Sequence, residues 1–203
     1  MDSAILEKAK DRYRIASKAL ARMKKESSLE GQEDEWFTFL RAWKGIYTAL
    51  EQAVKGDAKA TMWFGQRNSF RRKDELLQYV FQARNDDEHG LTRTTKREPG
   101  GISFGRPIDP SKPMRIDNLS ISSKGGVINI NWSGKNENFD PSLKVIPPRL
   151  KLMPVKDRDH KTTYSPPTQH LGKPFANAER DPIVVAEAAL SYIDELIREA
   201  EGF

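Results

Sequence analysis

Residues 33–55, EDEWFTFLRAWKGIYTALEQAVK, place Trp36, Leu40, Trp43, Tyr47, Leu50 and Val54 at steps of four, three, four, three and four, with Phe39 and Ile46 widening the row. Apolar residues that recur every three to four positions fall on one side of a 3.6-residue helix. The stretch predicts a long helix with one aromatic-rich face, which has to be buried against other elements. The aromatics at 36, 37, 39 and 43 follow this helical spacing, so they read as core rather than as a base-stacking surface.

Upstream, Ser3 to Lys25 carries Ile5, Ala9, Ala16, Leu20 and Met23 along one face and basic residues over much of the rest. This predicts a first helix, less apolar than the second. Downstream, GDAKATMWFGQRNSFRRK (residues 56–73) mixes turn residues with scattered aromatics and reads as a loop with no more than a helical turn. Asp74 is placed to cap a third helix in which Leu76, Val80 and Ala83 form a stripe and Leu77 and Phe81 the neighbouring row, with Gly90 just past its end.

All twelve prolines lie at or beyond Pro99. Proline inside a helix costs on the order of 3 kcal/mol, so the first 98 residues are free to be helical in a way the next eighty are not. Within 91–180, Leu119, Ile121, Ile128, Ile130 and Trp132 alternate with polar residues on either side of Lys124-Gly125-Gly126, the pattern of a β-hairpin. Shorter extended pieces are expected between Leu143 and Val155, broken by Pro147, Pro148 and Pro154. Asp181-Pro182 then combines a cap with proline at the first helical position, and Ile183, Ala186, Leu190, Ile193, Ile197 and Ala200 follow at helical spacing. The predicted fold is mainly α. It is an antiparallel four-helix bundle built from 1–90 and 181–201, in a single domain spanning 1–203, with a proline-rich insertion at 91–180 carrying a hairpin before the last helix.

Composition narrows the function. With no cysteine, neither a thiolate metal site nor a cysteine nucleophile nor a disulfide framework can form. No leader pattern and no apolar stretch of spanning length is present, so a soluble, cytoplasmic protein without membrane contact is expected. The formal charge of +5 and a pI near 9.3 permit a polyanionic partner without requiring one. Dinucleotide, P-loop, hydrolase-elbow and zincin signatures are absent, so no cofactor is expected. Consecutive residues 86–89 fan around a helix and cannot converge on one ion, so no metal is expected either. His160 and His170 lie in the proline-rich segment without paired spacing and read as surface residues.

The remaining chemistry sits in QARNDDEHG, residues 82–90, the end of the predicted third helix. Arg84 precedes His89 by five positions, about 140° around a helix, whereas Asn85 and His89 share a row. One reading is structural: Arg84 pairs with Glu88 one turn on, His89 complements the helix dipole, and Asp86, Asp87 and Glu88 form a solvated face. The other is catalytic: an arginine stabilises charge on a phosphodiester while a histidine moves a proton. Basic groups on either side, Arg67, Arg71, Arg72 and Lys73 before and Arg93, Lys96 and Arg97 after, could offset the acids towards RNA.

A helical bundle whose third helix ends in Arg84-Asn85-x-x-x-His89 resembles the HEPN domain superfamily, for which Arg-x4-6-His is the hallmark. The resemblance implies an all-α bundle that homodimerises and joins two copies of the motif into one composite, metal-independent ribonuclease site. It would make Arg84 a phosphate ligand, His89 the acid–base residue and Asn85 the residue that orients them. A composite site would also dispose of the 140° separation, because Arg84 of one subunit could work with His89 of the other. Leu91 stands where the branch paired with nucleotidyltransferases often has tyrosine, which argues against that pairing. The competing class is a non-catalytic dimerising or interaction module, with RNA or a regulatory protein as partner.

Overall fold

The computed structural model describes residues 1–89, 93–104, 111, 118–124, 127–133, 143–157, 161–175 and 181–203. Among them are five helices and a set of short antiparallel strand pairs. The chain divides into two compact units, one formed by Met1–Glu98 with Arg149–Phe203, the other by Pro99–Pro148.

In the first unit, α1 (Ser3–Lys25) and α2 (Leu29–Ala53) are an antiparallel pair. The Asp2 N–H donates to the Ala53 carbonyl at one end, and Arg22 pairs with Glu35 at 2.6 Å near the other. The face of α1 is mostly small, with Ala9, Ala16 and Ala19 fully buried, and α2 answers it with Trp36, Phe39, Trp43, Ile46 and Leu50, also fully buried. Helix α2 starts a turn earlier than the apolar row, because the Ser28 hydroxyl accepts the Gly31 N–H and caps it. Gly56, at φ +88°, turns the chain after α2 in a conformation that costs glycine little.

Residues 58–73 correct the expected loop: they form α3 (Ala58–Lys73), a full helix. Its apolar residues make no stripe, and only Ala60, Phe64 and Arg71 are buried. What holds it is local and tertiary at once. Asp57 caps its first turn through the Ala60 N–H, while Trp63 and Arg67 both donate to Glu199 of the last helix. Among the described residues the helices therefore number five rather than four.

Helix α4 (Glu75–His89) buries Leu76, Leu77, Tyr79, Val80 and Ala83. Helix α5 (Pro182–Ala200) starts as its sequence predicts, with the Asp181 carboxylate accepting the Ile183 N–H at 2.8 Å and proline in the first turn. It runs antiparallel to α1: Lys24 pairs with Glu187 and Lys10 with Glu201. Its buried face holds Val185, Ala189, Tyr192 and Leu196 beside Ala186, Ile193 and Ile197, whereas Ile183 and Leu190 sit at the edge of the core.

Part of the proline-rich excursion closes onto these helices. Strand β1 (Thr95–Glu98) pairs antiparallel with Arg149–Leu152, and the chain continues through Val155–Asp157 and Thr162–Tyr164 as a second pair. Leu152 and Val155 are fully buried in the helical core, and the Tyr79 hydroxyl donates to the Met153 carbonyl at 2.8 Å. Glu33 of α2, buried, accepts both from Arg97, at 2.6 and 2.9 Å, and from the Thr95 hydroxyl, fixing β1 to α2.

The described residues of the second unit include two antiparallel pairs. Gly101–Phe104 is β2, Asn118–Lys124 β3, Val127–Ser133 β4 and Leu143–Ile146 β5. Strands β3 and β4 pair as expected from their alternation, with Ile121 opposite Ile130 and Leu119 opposite Trp132; Gly125 and Gly126 lie outside the described residues. Strand β5 pairs with β2, and continuing the numbering, Arg149–Leu152 is β6, Val155–Asp157 β7, Thr162–Tyr164 β8, Gln169–His170 β9 and Lys173–Pro174 β10. Pro147-Pro148 and Pro154 separate β5, β6 and β7, as their missing N–H groups require.

His170 corrects another expectation. It is no surface histidine: its Nδ1 lies 3.0 Å from Asp74 Oδ1 and its ring meets Tyr192 edge-on at 5.8 Å. Leu171 and Gly172, both at positive φ, make the tight turn between β9 and β10. His160 lies outside the described residues.

Candidate functional site

The last turn and a half of α4 carries Arg84, Asn85 and His89, and the structure separates the roles of its polar residues. Asp86 is buried, and its Oδ2 accepts the Lys156 N–H of β7 at 3.1 Å. One turn earlier Gln82, also buried, donates to Asp157 Oδ2 at 3.0 Å. These two contacts dock one side of the helix onto β7. Asp86 therefore corrects the solvated acidic face expected from the sequence: it points inward because a backbone N–H waits there for an acceptor.

Arg84 and Asn85 are half-buried on the remaining surface of α4. Asn85 Oδ1 accepts from Lys44 Nζ, and its Nδ2 donates to Gln82 Oε1 at 3.3 Å. Asparagine thus ties α4 to α2. His89 is the final residue of the helix, one turn beyond Asn85; its side chain, with those of Asp87 and Glu88 and the whole of Gly90, lies outside the described residues.

Lys44 links Asn85 to a groove of about 230 Å³ between α2, α3 and α4. Lys44, Tyr47 and Glu51 line it from α2, and Asn68, Arg71 and Arg72 from α3. Phe81 of α4 forms its floor, with the Lys44 ammonium 4.7 Å and the Arg71 guanidinium 3.8 Å from its ring centre. Arg71 is 5% exposed, donates to Asn68 Oδ1 at 3.0 Å and Gln78 Oε1 at 3.2 Å, and has no carboxylate partner among the described residues. Burial pulls its guanidinium down from the ordinary arginine value, and desolvation pushes the Tyr47 phenol well up.

The basic residues singled out in the sequence fall into separate places. Arg71 and Arg72 come together in the groove with Lys44. Arg67 pairs with Glu199 at 2.7 Å, and Lys73 is the exposed last residue of α3. Arg97 pairs with Glu33 at 2.6 Å, Arg93 approaches the same carboxylate at 4.0 Å, and Lys96 is exposed on β1. Lys44 was not readable as a site residue, since it is one lysine within an amphipathic helix; its eligibility came only from the crossing of α2 and α4. Among the described residues no cluster of three metal-ligating side chains occurs, and no helix is long and apolar enough to cross a membrane.

Comparison with protein-family models, curated proteins and solved structures gives no match to the chain.

Proposed function

We propose that this protein is a HEPN-like, metal-independent endoribonuclease whose site is composed from two copies of the Arg84-Asn85-x-x-x-His89 motif at a homodimer interface. In this reading α1, α2, α4 and α5 correspond to the family's bundle and α3 is an addition. The observation that supports it is the partition of α4: Asp86 is turned into the protein, while Arg84 and Asn85 are only half-buried and Lys44 is bonded to Asn85. That arrangement removes one carboxylate from the path of a phosphodiester and adds a cation beside it.

The chemistry follows from the side chains. A ribose 2′-oxygen attacks phosphorus, the bond to the 5′-oxygen breaks, and the products are a 2′,3′-cyclic phosphate and a 5′-hydroxyl. Arg84 stabilises the negative charge that builds on the phosphoryl oxygens, and His89 moves the proton between the attacking and leaving oxygens. Asn85, anchored by Lys44 and Gln82, fixes the orientation of the pair.

The test is incubation of a labelled mixed RNA with purified protein in EDTA, beside its His89→Ala variant. Cleavage by the wild type alone, ending in 2′,3′-cyclic phosphate, is the expected outcome. Failure of folded wild-type protein to cleave would instead favour a non-catalytic interaction module, and equal cleavage by both proteins would place the activity elsewhere.

A further inference from the structure

A buried guanidinium is costly unless something negative faces it, because desolvation disfavours the charge and neutral hydrogen bonds recover only part of the loss. Arg71 is in this position: 5% exposed, held by two amide oxygens and an aromatic ring, with no carboxylate partner among the described residues. A purely structural arginine would be expected beside an acid, as Arg97 is beside Glu33 at 2.6 Å. Arg71 instead lines an open groove whose other ionised residues, among the described residues, are Lys44, Arg72 and a single acid, Glu51. Cations therefore outnumber carboxylates there by three to one.

We propose that this groove binds the phosphoryl group of a phosphate ester. Arginine's planar fork suits phosphoryl oxygens, and its charge is worth most where water is excluded. Arg71 is pre-positioned by Asn68, Gln78 and Phe81, so little side-chain freedom is lost on binding. Arg72 follows it on α3 and Lys44 also lies against the Phe81 ring, and these supply the remaining charge. A volume of about 230 Å³ admits a phosphoryl group with part of its ester. The site shares Lys44 with the catalytic reading but does not require Arg84 or His89, and it stands whether or not those residues cleave RNA.

Two sources carry this chemistry, a mononucleotide-like small ester and the backbone of an RNA strand. Titration calorimetry in EDTA with inorganic phosphate, adenosine monophosphate and a short single-stranded RNA separates them, using His89→Ala protein for the RNA arm so that the strand stays whole. At least one of the three should bind, and Arg71→Met and Arg72→Ala should each weaken it about tenfold or more. Glu51→Gln should strengthen it, because the groove loses the acid that lines it. Binding of phosphate and the mononucleotide without the RNA identifies a small ester as the ligand; binding of the RNA alone identifies the strand. Arg72→Ala decides the matter if Arg71→Met does not fold. No binding by any probe, or binding unchanged in both arginine variants, would overturn the assignment. Loss of cleavage in His89→Ala with phosphoryl binding intact would separate this site from the catalytic reading.

Discussion

Asp86 Oδ2 accepts the backbone N–H of Lys156 at 3.1 Å, so a carboxylate lying between Arg84 and His89 in the chain is a joint between α4 and β7. Removing the acceptor leaves that N–H without its partner in a poorly solvated place. Asp86→Ala should cost about 1–3 kcal/mol of stability, and Asp86→Asn, which keeps an oxygen there, should cost less. Urea denaturation measures both. Equal stabilities for all three proteins would show that the joint is not used.

Asp74 performs three tasks with one carboxylate. Its Oδ1 accepts the Leu77 N–H at 3.0 Å, capping α4, and also meets His170 Nδ1, while Oδ2 accepts the Leu171 N–H at 2.9 Å. Asp74→Ala loses the cap and the clip on the β9–β10 turn together, so the expected loss is about 2–3 kcal/mol, beyond what a cap alone gives. Thermal melts beside His170→Ala separate the contributions: the histidine variant should fall between wild type and Asp74→Ala.

Acid should destabilise the protein through specific surface carboxylates. The Ala60 N–H first, and then the N-terminal ammonium at 3.1 Å, hold Asp57 below its ordinary value; Lys151 and then Arg149 do the same for Glu98. A carboxyl whose pKa is lower in the folded state contributes stability above its unfolded value, and that contribution disappears as pH falls through the folded one. The melting temperature should therefore decline from about pH 4 downwards, the ordinary carboxylate range. The decline should be shallower in Glu98→Gln. An identical slope in that variant would remove Glu98 from the account.

The helices were legible where apolar spacing and a cap coincide, as in α2 and at Asp181-Pro182. Helix α3 was not, because Met62, Trp63, Phe64 and Phe70 describe no stripe; its order depends on Asp57 behind it and Glu199 more than 130 residues ahead. Strands β5, β6 and β7 were foreshadowed by the prolines between them. The inward turn of Asp86 and the clip at His170 were hidden, since a carboxylate's partner can be a backbone N–H that sequence does not mark. The groove was half visible: Arg71 and Arg72 stood out as charge, but only the crossing with α2 brings Lys44 and Phe81 to them.

The proposed site is shared between two subunits, so mixing subunits can rebuild it. Arg84→Ala and His89→Ala proteins should each be inactive on RNA. Mixed in equal amounts and allowed to exchange, they should recover up to about half of wild-type activity, since half the dimers are hybrid and the one shared site of each hybrid holds one intact Arg84 and one intact His89 across the interface. Active wild type with no recovery in the mixture would contradict the shared site, and inactive folded wild-type dimer would contradict the ribonuclease reading itself.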